Sequence, residues 1–222
     1  MSERSARTPF HFFGCWELRE MLGRRAYDER ELLEQLEEVP LDSIYFHTHS
    51  CFLHERSFLG GYPNDFATWV AIQVRDRVLG EKLGIVDPQD FTDLESLRAE
   101  VVSLIDDHLA ETRSVPRVMF GQPFYFMQSR VLEIPTGVKV RTLAEFRDAL
   151  AEVDAAVVYL HVVESRGRKG RRRNDFAAWI DEQLGLPELA TAVARTNPFP
   201  FGLEKARRRL VALCDETLRR TP

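Results

Sequence analysis

Apolar positions alternate in some segments of this chain and recur every three to four residues in others, and the two periods divide it into predicted strands and helices. Phe10 and Phe12 alternate with their neighbours, as do Phe124 and Phe126, which predicts a strand at each place. Arg130 to Ile134 and Val138 to Arg141 flank Pro135-Thr136-Gly137, the pattern of a hairpin whose turn needs glycine. Asp28-x-x-Glu31 and Thr142-x-x-Glu145 are capping boxes that open helices. Ser43 to Ser50 and Val157 to Glu164 read as strands. Ile44, Phe46 and Thr48 would lie on one face with Tyr45, His47 and His49 on the other, and Val158, Leu160 and Val162 would oppose Tyr159, His161 and Val163. After a loop, Asp65 and Asp175 are placed to cap helices, the first carrying Phe66, Trp69, Val70 and Val74 on one buried stripe. A last helix follows in each part, striped by Leu94, Leu97, Val101, Leu104 and Ile105, and by Leu203, Ala206, Leu210, Val211 and Cys214.

These elements come twice. Pro9-Phe10-His11-Phe12-Phe13 returns as Pro123-Phe124-Tyr125-Phe126-Met127 at a shift of 114, which also brings Tyr45 and His47 onto Tyr159 and His161. Asn64-Asp65-Phe66-Ala67 returns as Asn174-Asp175-Phe176-Ala177 at 110, and Leu94–Leu109 resembles Leu203–Leu218 at 109. Four aligned blocks hold 23 identities in 60 positions, against roughly one in fifteen by chance. The expectation is a tandem duplication. Residues 1–110 would form the first half, 111–122 a connector containing Pro116, and 123–222 the second half, fused into one body. The predicted class is α/β, with strand-helix-strand-helix-helix halves and approximate internal two-fold symmetry.

Composition narrows the function classes. The 222 residues are 44% hydrophobic and 10% aromatic, enough for a packed core. The first apolar run, Phe10–Phe13, is far short of the roughly 18 residues a membrane span needs, and no signal-peptide pattern precedes it, so a cytoplasmic protein with no membrane partner is expected. Cys15, Cys51 and Cys214 are too scattered for a disulfide framework or a zinc knuckle. A net charge of -5 argues against nucleic acid as a general partner. GxSxG, GxGxxG after a strand, HExxH and the P-loop order are all missing.

Two readings of the remaining chemistry stay open. In the first, Tyr45, His47, Tyr159 and His161 line a cleft suited to a polar ligand, because tyrosine and histidine offer both stacking faces and hydrogen bonds. The loops after these segments differ. Cys51–Pro63 is aromatic, with Phe52, Phe58 and Tyr62, and suits a lid or a protein contact. Ser165–Arg173 holds Arg166, Arg168, Lys169, Arg171, Arg172 and Arg173, whose guanidinium forks match phosphate oxygens or an acidic partner. In the second reading, His47 and His49 aim two imidazoles from one strand face, and His54 and Asp65 complete a divalent-metal site.

The order of Phe10-His11-Phe12-Phe13 with Cys15 and Leu18, Glu31-Leu32-Leu33-Glu34, Ser43 through His49, and Pro63-Asn64-Asp65-Phe66-Ala67-Thr68-Trp69-Val70 resembles a bacterial and archaeal family catalogued as a domain of unknown function. The resemblance covers nearly the whole chain. It implies an association with glycosyltransferases and other carbohydrate-active enzymes, and it supplies no reaction and no catalytic residues. The expected function is therefore a ligand-binding or regulatory accessory protein, linked to carbohydrate metabolism and needing no cofactor. The alternative is a metal-dependent hydrolase or transferase using the His47/His49 pair.

Overall fold

A computed structural model describes residues 5–53, 62–112, 117–118, 121–167 and 173–220. Two long strands, β1 (Phe10–Ala26) and β2 (Phe124–Val140), pair in a two-stranded antiparallel sheet. Partner numbers fall along β2 as they rise along β1: the Thr136 hydroxyl donates to the Phe12 carbonyl, the Ser129 hydroxyl to Glu17, and the Gln128 amide to Glu20. The predicted hairpin at Pro135-Thr136-Gly137 is absent, because this segment runs straight through β2. Its glycine signal was a real one with another cause. Gly137 and Gly23 adopt φ of 81° and 72° inside their strands, and an added Cβ at either would meet nothing within 4 Å, so conformation and not space selects glycine there.

The other regular elements of the described residues are helical. They are α1 (Glu29–Glu38), α2 (Leu41–Thr48), α3 (Asp65–Trp69), α4 (Arg77–Gly84) and α5 (Leu94–Glu111), then α6 (Leu143–Glu152), α7 (Ala155–Val158), α8 (Ser165–Gly167), α9 (Asp175–Leu184), α10 (Pro187–Ala194) and α11 (Leu203–Arg220). A 3-10 turn, Ser50–Leu53, follows α2, and π-helical turns extend α3 through Val70–Val74 and α7 through Tyr159–Glu164. The class is mixed α and β.

The chain folds as two compact units, one of residues Glu17–Arg130 and the other of Met1–Trp16 with Val131–Pro222. In the Glu17–Arg130 unit, Leu32, Leu36, Ile44, Phe66, Val70, Leu79, Leu97, Ile105 and Phe126 belong to one buried cluster, with α1 packed on α5 and α3 on α4. In the other unit Phe12, Phe146, Leu150, Phe176, Ile180, Val193 and Leu210 are buried, with α6 packed on α11 and α9 on α10.

The expected strands at Ser43–Ser50 and Val157–Glu164 are helical, so among the described residues each predicted half has one strand where two were expected. Every residue from Ser43 to Thr48, and from Val157 to Glu164, is buried. Where both faces are covered, an alternation of apolar and polar types says nothing about direction, and a short apolar run fits either period. Helix-start signals decide instead. Pro40 precedes α2, and the Asp154 carboxylate accepts from the Ala156 N–H at the start of α7. No helix of the described residues is long and apolar enough to cross a membrane.

Candidate functional site

The Asn-Asp pairs divide their labour differently from the sequence expectation. Asn64 and Asn174 are the caps, each accepting a backbone N–H with its side-chain oxygen, from Ala67 and Ala177 at 2.8 Å. Each amide nitrogen also donates across its unit, to the Leu83 and Val193 carbonyls. Asp65 and Asp175, relieved of capping, turn to histidine. His47 Nδ1 lies 2.9 Å from Asp65 Oδ2, and His161 Nδ1 lies 3.0 Å from Asp175 Oδ2.

The opposite ring nitrogen fixes the tautomer in both cases. The Met127 N–H donates to His47 Nε2, and the Phe13 N–H donates to His161 Nε2, each at 3.0 Å. A nitrogen that accepts carries no proton, so each imidazole is neutral, donates from Nδ1 to its carboxylate, and clamps a strand to a helix start. Phe66 and Phe124 pack around His47, and Phe10 and Phe176 around His161. Both rings are buried.

Tyr45 and Tyr159 are fully buried as well. Tyr45 stacks on His49 at 4.3 Å, whereas the Tyr159 hydroxyl donates to buried Glu164 at 2.9 Å. The four residues of the predicted cleft thus fall two to a unit, inside the packing. His49 Nδ1 lies 2.9 Å from the Thr48 hydroxyl. On a helix, residues two apart point roughly 200° apart, so the common face expected for His47 and His49 on a strand is lost. His54 lies outside the described residues, as do Arg168, Lys169, Arg171 and Arg172. Arg173 pairs with Asp181 at 2.5 Å, and Arg166 donates to the Ala194 carbonyl. Cys51 is buried, its thiol bonded to the Thr48 and Pro63 carbonyls, and burial pushes its pKa well above 9. Burial likewise pushes Cys214 up to about 12. Neither thiol is a thiolate at neutral pH.

A groove of about 640 Å³ opens to solvent in the Glu17–Arg130 unit, along the edge of the His47–Asp65 pair. Trp69, Phe124, Tyr125 and Phe46 supply aromatic walls, while Arg19, Asp65, Thr68, Gln73 and Gln122 supply polar ones. The floor is tied down. Trp69 Nε1 donates to the Gln122 carbonyl at 2.8 Å, and Gln73 Oε1 accepts the Gln122 N–H at 3.0 Å. Arg19 is held by Glu17 at 2.7 Å and by the Leu53 carbonyl. The π turn that carries Ile72 and Gln73 to this groove ends in Arg75 at φ 68°, a left-handed conformation that side chains seldom adopt. In the other unit α9 is regular and stops at Gly185, φ 61°, with no such strain.

Among the described residues, the side chains grouped closely enough to hold a metal ion are Glu29, Asp76 and His108. The Asp76 Oδ2 to His108 Nε2 distance is 2.8 Å. Burial, then the Asp76 charge, push the Glu29 carboxyl up to about 7. No spacing rule finds residues so far apart in sequence. At the shifts that align the similar sequence blocks, the matching positions hold Leu143, Leu186 and Thr217.

A model of a family of unknown function (DUF5752) matches residues 7–215. The chain is similar to the solved structure of OrfY from Thermoproteus tenax, with 27% identity over 96% of each chain and a TM-score of 0.80. No curated protein matches.

Proposed function

The chain belongs to the DUF5752 family, which assigns no reaction, and we propose from the site itself that it is a binding module for a small hydroxyl-rich ligand of the sugar or sugar-phosphate class. The observation that carries this reading is the groove beside His47–Asp65, where aromatic faces and anchored polar groups meet. Aromatic walls suit the C–H faces of a pyranose, and a carboxylate with two carboxamides suits its hydroxyls. Arg19, partly exposed at the rim, suits a phosphate. Binding sites commonly have this form, a concave and mainly apolar surface with a few fixed polar groups. The π turn and the left-handed Arg75 support the reading, since such departures concentrate where a backbone is shaped for a ligand.

The role is accessory: selection and presentation of a ligand in a cytoplasmic setting. We also infer that the chain arose by internal duplication. The repeated contacts support it: Trp69 to the Gln122 carbonyl and Trp179 to the Thr8 carbonyl, and Arg98 to the Glu37 and Val39 carbonyls and Arg207 to those of Ala151 and Val153.

The test is a thermal-shift screen of the full chain with hexoses, hexose phosphates and nucleotide sugars, in wild type and in Arg19→Ala and Tyr125→Ala variants. A ligand at a hundred times its Kd should add about 3 kcal/mol of stability and raise the midpoint. The shift should shrink in both variants. Wild-type midpoints unmoved by every sugar, or moved equally in the variants, would overturn the reading.

A further inference from the structure

We propose that Glu29, Asp76 and His108 form a binding site for one divalent transition ion of the zinc class, separate from the groove. The strongest observation is Glu29. It is fully buried, and neither carboxylate oxygen has a hydrogen-bond partner among the described residues. An unpaired buried carboxylate is far too costly to persist without a proton, an ion or water. It faces the other two groups, with one ligand atom from each of the three residues lying within 4.8 Å of the rest.

The geometry suits a small ion. Nitrogen and oxygen ligands held about 2.1 Å from a common centre stand roughly 3.0 to 3.4 Å from one another. The 2.8 Å Asp76–His108 contact already falls close to that, and a separation as wide as 4.8 Å closes to it by about 1.4 Å, shared between two side chains. The backbone positions are fixed in advance. Glu29 is the first residue of α1, after the Asp28 cap, and His108 sits near the end of α5. Asp76 caps α4 by accepting the Leu79 N–H through Oδ1, so Oδ2, which lies against His108 Nε2, is the oxygen turned to the ion.

Charge and ligand type select the metal. Two carboxylates and one neutral imidazole balance a divalent cation, and the imidazole disfavours magnesium and calcium, which prefer all-oxygen sets. Asp76 is the most accessible of the three, so solvent can supply a remaining ligand from its side. At the matching helix positions of the other unit, the first residue of α6 is Leu143, the residue before α10 is Leu186, and α11 carries Thr217. All three polar groups are present together in one unit and absent together in the other, as a shared ligand requires.

The experiment uses the metal-stripped full chain, titrated calorimetrically with Zn²⁺, with Mg²⁺ and Ca²⁺ as comparisons. One equivalent of Zn²⁺ should bind and raise the melting midpoint, while Mg²⁺ and Ca²⁺ should not displace it. Glu29→Gln and His108→Gln should each weaken Zn²⁺ by about a hundredfold or more, since loss of even an outer-sphere partner costs tenfold to a hundredfold. His11→Gln, at an exposed histidine, should bind as wild type does. Co²⁺ added to wild type should give visible ligand-field bands that Zn²⁺ abolishes, a readout that needs no variant to fold. Absence of those bands, failure of wild type to bind Zn²⁺, or unchanged affinity in Glu29→Gln would each overturn the site.

Discussion

Replacement of His161 by alanine tests whether the buried histidines are structural clamps. Three losses follow from the geometry. The Phe13 N–H loses its acceptor, an unsatisfied buried donor worth about 1 to 3 kcal/mol. Asp175 loses a donor held at 3.0 Å, and hydrogen bonds to charged groups are worth about 1.5 to 3 kcal/mol. The ring also leaves a void against Phe10 and Phe176, each about 5 Å away centre to centre, and ring-sized truncations in cores cost about 3 to 5 kcal/mol. Neighbouring losses share the same relaxation and do not add, so the expected total is about 3 to 5 kcal/mol. That is a large share of the 5 to 15 kcal/mol typical of a folded domain. Urea denaturation of the variant should show the corresponding drop in midpoint, while His11→Ala, at an exposed ring, should stay within about 0.5 kcal/mol of wild type. A His161→Ala loss below about 1 kcal/mol would refute the clamp. Residues poised for chemistry often stabilise a protein when removed, so an unchanged or raised midpoint would return His161 to the list of functional groups.

Three further outcomes follow. Asn174→Ala removes both a helix cap and the donor to Val193, and should cost about 2 to 3 kcal/mol in urea, while Asn174→Asp keeps the cap and should lose less. Gly137→Ala should cost about 1 kcal/mol from the left-handed backbone alone, and an unchanged urea midpoint would mean that the strand relaxes there. In metal-free protein, the folded Glu29 carboxyl titrates near 7 against 4.5 for the ordinary group, so its contribution is fully present below pH 4.5 and is lost as pH rises through about 7. The unfolding free energy from urea denaturation in EDTA should fall from pH 5 to pH 8 by as much as about 3 kcal/mol, and Glu29→Gln should flatten that fall; an equal slope in the variant would assign it to other groups.

The residues that do the most in this fold were visible in the sequence for the wrong reason. His47 and His161 stand out because they recur beside tyrosine, yet the sequence around their partners, Asp65 and Asp175, fits helix caps, and for Asp65 also a metal ligand. The Asn before each Asp held the answer: with Asn at the cap, the Asp side chain is available for another bond. The strands around Phe10 and Phe124 were legible, because one face is buried and Tyr125 and His11 are not. Helix α2 and the α7 segment were not, since burial on every side erases the periodic contrast that distinguishes strand from helix. The groove depends on Gln122, Trp69 and Arg19 meeting in space, and the Glu29 cluster on three helix ends, neither of which a local pattern encodes.

The division of the chain into Glu17–Arg130 and a unit assembled from both sides of it has a consequence for synthesis. The first unit is complete once residue 130 has left the ribosome, but Phe10 and Phe12 must wait for the helices beyond Val131 that will cover them. At about 5 to 20 residues per second, α11 follows β1 by on the order of 10 to 40 seconds. During that interval residues 10–16 are an apolar strand segment without its core. Proteolysis of ribosome-stalled chains ending near residue 165 should find 17–130 protected and 5–16 cut, and equal protection of both would show that the strand is sheltered early. Residues 10–16 thus reach their core after the 17–130 unit, which follows them in sequence, is complete.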